Sequence, residues 1–313
     1  MARLPAMLRY FLSRLAAAIP TLFLIVTATF FLMRAAPGGP FDQDQALPPE
    51  IYANLQRAYG LDRPVWQQYG RYLNNLLHGD FGPSFRYKDF TVTELIAQGF
   101  PVTLELGVIA MLLALCIGIP LGVFAALNHN GGLDHLTMVL AVSGIAVPSF
   151  VLLPFLGLVF GVHLHWLPVA GWEDGAARYL VLPVIALSLP PLAYIARLTR
   201  GSMLEVLAMD YIRTARAKGV PLRQLIMRHA LKPALIPVAS FLVPAVAAVM
   251  TGSLVVESIA GLPGIGRYLV QGALNRDYTL VLGMVILYST LLIGMGLAVD
   301  LLYAWLDPRL RTA

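Results

Sequence analysis

The sequence predicts an all-α membrane protein with six transmembrane helices. Hydrophobic residues make up 58% of the chain and charged residues only 12%, against roughly 25% charged residues in an ordinary soluble domain. The charges are clustered, which leaves long uncharged stretches, and each membrane helix needs about 20 mostly apolar residues. The single cysteine, Cys116, lies in an apolar run, so no intramolecular disulfide can form and it does not indicate a compartment.

Six apolar runs supply the candidate helices, at about 11–33, 102–127, 136–160, 179–198, 234–256 and 280–303. The first follows Arg3, Arg9 and Arg14 and could belong to a signal peptide. Its apolar part, Leu15 to Met33, is 19 residues long, whereas a signal sequence has an apolar stretch of about 7–15 residues. We therefore predict a retained first helix.

Several of these runs contain proline, which a membrane bundle tolerates because neighbouring helices and hydroxyl groups satisfy the freed carbonyls. The prolines are Pro120, Pro148, Pro154, Pro183, Pro190 and Pro244.

The distribution of Lys and Arg predicts that both termini are cytoplasmic. Three basic residues precede the apolar stretch that starts at Leu15, Arg309 and Arg311 follow the last run, and eight lie from the end of the fourth run to the start of the fifth. Those eight are Arg197, Arg200, Arg213, Arg216, Lys218, Arg223, Arg228 and Lys232. Only Arg178, Arg267 and Arg276 lie in the short loops on the opposite side. The formal charge of +5 is thus explained by topology, and no nucleic-acid partner is expected.

Glu105 and Asp300 are the only acidic residues that we expect inside the predicted spans, and both are near an interface. A proton-driven transporter is expected to carry ionisable residues near the middle of the membrane. This pattern disfavours, but does not exclude, a secondary transporter that works alone. An intramembrane enzyme is a remote alternative, since no pattern places Ser, His and Asp together as a triad.

The sequence of the long connection between the first two spans predicts short amphipathic helices. The first predicted helix begins at Pro48-Pro49 and ends at Gly60. The second has Asp62 as a possible cap, Pro64 in its first turn and Gly79 just past its end. The apolar face of the second helix carries Val65, Tyr69, Tyr72, Leu73 and Leu76. These helices could dock a delivery protein, or they could form a cap packed on the bundle.

The basic connection between the fourth and fifth spans predicts a helix–glycine–helix elbow. Ser202 and Glu205 have capping-box spacing, which predicts a helix start. Gly219 follows a basic last turn, as at a helix C-terminus. Pro221 suits the first position of a second helix, which stops or bends at Pro233. With both arms continuous with membrane helices, such an elbow could transmit force; an ordinary basic loop explains the same residues equally well.

This elbow resembles the EAA loop of type I ABC-importer permeases, in the branch that imports oligopeptides, dipeptides and nickel. Arg213-Thr214-Ala215 occupies the family's first triplet and Gly219 matches its glycine. The stretch from Asp210 to Gly219 resembles the form that the EAA loop takes in the peptide-importing branch. Because Arg213 stands where the general family has glutamate, the role of that glutamate is not given to it.

Other stretches that resemble the family extend the likeness over essentially the whole chain. They are Arg34 to Gly38, His78 to Phe85, Ala230 to Ala234, Glu257 to Gly266, Asn275 to Tyr278 and Asp307 to Arg309. The resemblance implies the type I permease fold in a bacterial inner membrane, as a multi-pass subunit. It divides the chain into 1–100 (first helix and periplasmic segment), 101–304 (a core with the coupling loop 200–233) and 305–313 (cytoplasmic tail).

The resemblance also implies an assembly that moves oligopeptides by alternating access. The expected partners are a second homologous permease, two ATP-binding-cassette ATPases, and a periplasmic or lipid-anchored peptide-binding protein. The resemblance implies that ATP and Mg are bound by the ATPases, which fits a sequence without a phosphate-binding Gly-x-x-x-x-Gly-Lys-Ser/Thr loop. This chain is expected to hold no cofactor, metal or catalytic site. The residues expected in the ATPase-coupling loop are Glu205, Asp210, Arg213, Thr214, Ala215, Gly219, Leu222, Leu225 and His229. Dipeptides, nickel or another small solute remain alternative cargoes.

Three weaker patterns are assigned to packing or turns. His163 and His165 are interpreted as interfacial residues rather than metal ligands. Gly264-Ile-Gly266 is interpreted as a tight turn, since no strand precedes it. The pairs Gly118/Gly122 and Gly157/Gly161 have the spacing that permits close helix approach.

Overall fold

A computed structural model describes residues 6–35, 39, 41, 48–87 and 89–306, with side chains from residue 12 onward except at 49, 174 and 300–306. The helices of these described residues are α1 (Ala6–Ala35), α2 (Pro49–Tyr59), α3 (Val65–Leu77), α4 (Val92–Leu127), α5 (Gly132–Ala146), α6 (Ser149–Leu156), α7 (Ala177–Leu207), α8 (Asp210–Ala217), α9 (Leu222–Gln224), α10 (Leu231–Ala234), α11 (Ile236–Ala260), α12 (Gly266–Leu274) and α13 (Tyr278–Leu306). Two π-helical stretches, Gly157–His163 and Leu225–Ala230, follow α6 and α9, and a 3₁₀ turn spans Glu173–Gly175.

Five of these helices are long and apolar enough to cross a membrane, and a sixth span is formed if a bent pair counts as one. This confirms the predicted helical membrane fold. The third predicted span is not one straight helix, because α5 and the helix that begins at Ser149 meet at an angle of 104°. Val147 and Pro148 are extended at the break, since the residue before a proline avoids the helical conformation.

The chain forms two compact units, of which the larger comprises residues 1–16, 104–262 and 292–313. Within it, α7 packs against α5, α6 and α11. Ala114, Ile195 and Val238 form a buried apolar cluster in this unit. Tyr194 of α7 stacks on Phe241 of α11, with ring centroids 4.4 Å apart. Helix α7 is therefore the central packing element of the larger unit.

The Gly118/Gly122 pair lies where α4 meets α7. A Cβ built on Gly118 would lie 2.8 Å from the Leu192 carbonyl oxygen, and one on Gly122 would lie 2.5 Å from the Ala196 carbonyl oxygen. The close helix approach predicted for this pair is confirmed.

The second pair, Gly157 and Gly161, serves a different contact. Their Cβ positions face Val169, which lies in the loop after the π-helix, at 3.1 and 2.4 Å. Here the small residues allow the loop around Val169, rather than another helix, to pack closely.

The smaller unit comprises residues 17–103 and 263–291. Helix α2 ends at Gly60 (φ 65°), as predicted, since a left-handed glycine closes a helix. Helix α3 is preceded by Pro64, and no side chain caps it, so the expected cap by Asp62 is wrong. Tyr72 of α3 is buried against Phe30 of α1, with ring centroids 5.9 Å apart.

The apolar face of α3 belongs to the core of this unit over most of its length. Tyr69, Tyr72, Leu73 and Leu76 join one apolar cluster, while Val65 stays 41% exposed. This packing agrees with the hypothesis of a cap, and docking of a delivery protein on the outer face stays a prediction.

Candidate functional site

The predicted elbow is present, but its first helix starts later than the capping pattern predicts. Ser202 lies inside α7, where it is buried and its Oγ donates to the Leu198 carbonyl oxygen at 2.7 Å. A serine that bonds back four residues does not cap a helix. Helix α7 runs to Leu207, and α8 begins only after an extended Met209 (ψ 148°). The expectations of a helix start at Ser202 and of a first arm continuous with α7 are therefore wrong.

The bend between the two arms is centred on Gly219. Its φ of +76° lies in the left-handed region that favours glycine. Its N–H donates to the Arg216 carbonyl at 2.9 Å, and the Val220 N–H donates to the Ala215 carbonyl at 3.2 Å. These bonds satisfy carbonyls that the end of α8 leaves open, which confirms the predicted helix end.

The second arm starts after Pro221 and contains a π-helical stretch. Pro221 precedes α9 rather than occupying its first position, and its carbonyl accepts from the Leu225 N–H at 2.9 Å. The arm ends at Ala234, one residue after Pro233, and a turn at Leu235 leads into α11. The predicted stop at Pro233 is therefore confirmed to within one residue.

The inner face of this segment, residues 209–234 (hereafter the coupling segment), is apolar and buried. Ile212 of α8 and Leu225 of the second arm are 0% and 1% exposed. They belong to one cluster with Ala126 at the end of α4 and Met203 and Val206 of α7. Burying a side chain of this size contributes roughly 1.5–3 kcal/mol. The segment is thus fixed to the ends of two membrane helices.

The expected coupling residues are partly buried and partly exposed, and all of them except Glu205 of α7 lie in the segment. Ala215 and Leu225 are buried and His229 is half-buried. The exposed members are Glu205, Asp210, Arg213, Thr214, Gly219 and Leu222. Ala215 and Leu225 therefore support the segment, whereas the exposed members are available to a partner.

The sequence reasoning missed three large apolar side chains on the exposed face. Met209, Tyr211 and Met227 are 51%, 47% and 60% exposed, and Leu222 beside them is 57% exposed. Since Ile212 and Ala215 are three residues apart and point inward, helical spacing turns Tyr211 outward. Exposed apolar side chains are typical of an interaction surface where they form a patch, so these four are candidates for contact with a partner.

The charges of the exposed face are mostly basic. Arg213 and Asp210 approach to 3.6 Å, but their side chains are 73% and 95% exposed, and such surface pairs contribute about 0–1 kcal/mol. The other exposed bases are Arg216, Lys218, Arg223, Arg228 and Lys232. The face therefore combines apolar side chains with a positive rim.

A buried ion pair that the sequence did not predict joins α5 to α7, the helix that precedes the coupling segment. Asp134 of α5 is 2% exposed and accepts from Arg200 of α7 through two contacts of 2.5 and 2.7 Å. The Asn130 N–H donates to the same carboxylate at 2.9 Å. This pair ties α5 to α7 seven residues before α7 ends.

The set of acidic residues expected inside the spans was incomplete. Helix α11 extends to Ala260 and so includes Glu257, which is fully buried. Glu105 is exposed on α4, and the side chain of Asp300 lies outside the described residues.

Two of the family-like stretches meet around Asp277 in the smaller unit. Its Oδ2 accepts from Ser84 Oγ at 2.5 Å and from the Phe85 N–H at 3.0 Å. Its Oδ1 accepts from Thr279 Oγ1 and the Leu280 N–H, both at 3.1 Å. These bonds join the stretch 78–85 to the stretch 275–278. Residues 36–38 and the closing Asp307 to Arg309 lie outside the described residues, as do Arg3 and Arg311.

Comparison with protein families identifies the class. Residues 118–312 match the family described as "Binding-protein-dependent transport system inner membrane component", and residues 7–107 match its N-terminal companion. The chain belongs to this family, and it is a permease of the type I ABC importers.

The chain is also similar to individual permeases of known systems. The chain is 54% identical to the oligopeptide transport system permease protein OppB of Salmonella typhimurium, over 97% of this chain and all of that one. It is 50% identical to OppB of Haemophilus influenzae over the same shares. It is 44% identical to the dipeptide transport system permease protein DppB of Bacillus subtilis, over 97% of this chain and 98% of that one.

The fold resembles a solved permease. A chain of the inward-facing MetNI methionine ABC transporter aligns with a TM-score of 0.55 at 19% identity, covering 68% of this chain and 96% of that one. This likeness supports the fold alone.

Proposed function

We propose that this chain is the permease subunit of an oligopeptide importer in a bacterial inner membrane, with both termini in the cytoplasm. The observation that carries the proposal is the 54% identity, over nearly the whole chain, to a relative named for oligopeptide transport. Identity to a relative named for dipeptide transport is lower, at 44%. Dipeptides are therefore the second candidate cargo.

The assembly proposed around the chain contains a second permease, two ATPases and an external peptide-binding protein. In it, ATP and Mg are bound by the ATPases, and this chain performs no catalysis. Closure of the ATPases moves the coupling segment, and the membrane helices fixed to it change the side to which the path opens.

The coupling segment has the construction that such a role needs. A transmitting element has to be fixed firmly on one side and be accessible on the other. Ile212 and Leu225 fix the inner face in the apolar cluster, while Tyr211, Leu222 and Met227 supply exposed apolar contacts. A motor protein that pushes on the exposed face would therefore displace the ends of α4 and α7.

The first test replaces the glycine of the bend. In Gly219→Arg, a non-glycine residue is forced to a φ of +76°, at a cost of about 1–2 kcal/mol, and a long side chain enters the exposed face. We expect normal membrane insertion and a loss of ATP-driven peptide uptake. Gly219→Asn is the matched control, since asparagine tolerates the left-handed conformation. Wild-type uptake by Gly219→Arg would count against the coupling role.

The second test separates the two faces. Leu225→Ala creates a cavity at a buried site and is expected to lower stability by about 2–5 kcal/mol. Leu222→Ala changes an exposed side chain, so stability should change by less than about 0.5 kcal/mol while uptake falls. Unchanged uptake and ATPase activity in Leu222→Ala would contradict docking on this face.

A secondary transporter is the competing class and has its own test. The chain is reconstituted alone in liposomes and a peptide gradient or a proton gradient is imposed. We expect no flux without the ATPase subunits. Gradient-driven peptide flux through the chain alone would refute the ATP-driven proposal.

A further inference from the structure

A pocket of about 120 Å³ lies in the smaller unit, where two membrane helices end. Arg34, in the last turn of α1, and Tyr278 and Thr279, which open α13, line it together with residues of α3. Both helices are apolar enough to span a membrane. The ends of spanning helices lie at the depth of the lipid headgroups, so the pocket is at headgroup level.

The charged groups of the pocket are positive. Arg34 and Arg71 line it, and no Asp or Glu is among the described residues that do. The Arg34 guanidinium lies over the Phe30 and Tyr278 rings, at 5.3 and 5.1 Å. No carboxylate of the described residues pairs with either arginine. Two arginines that line one pocket, with no carboxylate among its described lining residues, provide the donors that phosphate binding requires.

Two neutral groups in the pocket also have open hydrogen-bonding capacity. Tyr72 is 8% exposed, and its buried hydroxyl has no hydrogen-bond partner among the described residues. Burial raises the pKa of Tyr72, which keeps its hydroxyl protonated and able to donate. Buried polar groups almost always have partners, so this hydroxyl indicates a missing acceptor.

Gln68 has the opposite requirement. Its Nε2 donates to the carbonyls of Leu61 and Arg63, at 3.1 and 2.7 Å. These bonds fix the direction of the amide, and its buried Oε1 has no partner among the described residues. Since an oxygen of this kind can only accept, the missing group on this side must be a donor.

We propose that the pocket binds the headgroup of a membrane phospholipid that carries both a phosphate and an N–H or O–H donor, such as phosphatidylethanolamine or phosphatidylglycerol. The phosphate accepts from Arg34, Arg71 and the Tyr72 hydroxyl, and the ammonium or glycerol hydroxyl donates to Gln68 Oε1. Phe31 and Leu32 of α1 are 43% and 70% exposed and offer an apolar surface to acyl chains. The inference holds whether or not the cargo is a peptide.

The test measures lipid retention by the assembled transporter in nanodiscs, using native mass spectrometry. Tyr72→Phe removes one donor without changing the packing of the ring, and we expect about tenfold weaker retention, as for the loss of a hydrogen bond to a charged group. Arg71→Gln should weaken retention at least as much. Arg57→Gln is the matched control, since Arg57 is an exposed arginine of α2 outside the pocket, and it should retain lipid like the wild type.

The lipid series tests the donor requirement. Phosphatidylcholine has the phosphate but no N–H or O–H in its headgroup, so the wild type should retain it more weakly than the other two lipids. Equal retention of all three lipids, or a Tyr72→Phe variant that behaves like the wild type, would overturn the proposal.

Two competitors distinguish other occupants. Inorganic phosphate that displaces the lipid at equal concentration would show a site for a free anion instead of a headgroup. A short peptide that binds with the same dependence on Tyr72 and Arg71 would show a zwitterionic peptide site. Failure of both to displace the lipid is the expected result.

Asp42→Asn and Asp44→Asn should leave retention unchanged, and increased retention in either would show that a carboxylate of this chain already fills the pocket.

Discussion

The coupling segment and the connection between α1 and α4 both link membrane helices and both bury apolar side chains, but the second is also held by a buried carboxylate. The coupling segment buries apolar side chains such as Ile212 and leaves its charges and several apolar side chains exposed. The α1–α4 connection turns polar groups inward, with Ser84 and the Phe85 N–H bonded to a fully buried Asp277. Apolar packing fixes the inner face of the coupling segment and leaves its polar groups for a partner, whereas a hydrogen-bonded carboxylate fixes the polar groups of the α1–α4 connection in one arrangement. We therefore expect the α1–α4 connection to hold one form, while the coupling segment has the proposed role of transmitting movement.

The comparison requires a rigid base under the coupling segment, and Gly122 provides the strongest test of that base. A Cβ at this position would lie 2.6 Å from Thr199 Cβ and 3.0 Å from the Arg200 backbone nitrogen, besides its clash with the Ala196 carbonyl. Because backbone cannot rotate away as a side chain can, we expect Gly122→Leu to lower stability by about 3 kcal/mol or more. The measurement is thermal unfolding of the purified protein.

Gly201→Ala is the control for Gly122→Leu, since nothing lies within 4 Å of a Cβ built there. It should be neutral or slightly stabilising, because alanine is the better helix former. Equal melting temperatures for the two variants would show that α4 and α7 do not need their close approach.

The second prediction tests whether Asp277 holds the α1–α4 connection in one form. Asp277→Asn replaces an ionised acceptor by an amide whose NH₂ would face a donor, and we expect a loss of about 1–3 kcal/mol. Proteolysis should become faster around residues 84–87, and ATPase coupling should change less than in the coupling-segment variants. The matched control is Asp89→Asn, since Asp89 is exposed and its φ of 67° suits asparagine. Identical proteolysis of the two variants would contradict the comparison.

The sequence predicted the features that depend on local chemistry. Long apolar runs, the end of α2 at Gly60 and the end of α8 near Gly219 were all predicted, because hydropathy and glycine's access to positive φ act within a few residues. The break at Pro148 was missed, although proline is the expected cause. Whether a membrane helix absorbs a proline, as at Pro183, or breaks depends on what packs beside it.

The features that the sequence did not predict depend on contacts distant in the chain. The spacing of Ser202 and Glu205 predicts a helix start, but continued packing of α7 against α4 carries the helix past this point. In the sequence, Asp134 has the position of an ordinary acidic residue in the first turn of a helix. Its ion-pair partner, Arg200, lies 66 residues later, so the pair is visible only in the structure. The exposed side chain of Tyr211 could have been found by applying helical spacing to Ile212 and Ala215.

The smallest expected effect on stability is at Arg213. There the informative quantity is whether ATPase binding becomes weaker or stronger. Because Arg213 and Asp210 are largely exposed and 3.6 Å apart, Arg213→Gln and Asp210→Asn should each change stability by less than about 0.5 kcal/mol. If the positive rim of the coupling segment steers an acidic partner surface, Arg213→Gln should weaken ATPase binding, whereas Asp210→Asn should leave it unchanged or strengthen it. Both differences should shrink at high salt, since the screening length falls to about 3 Å at 1 M. Weakening of equal size in the two variants, independent of salt, would show that the exposed face contributes shape rather than charge.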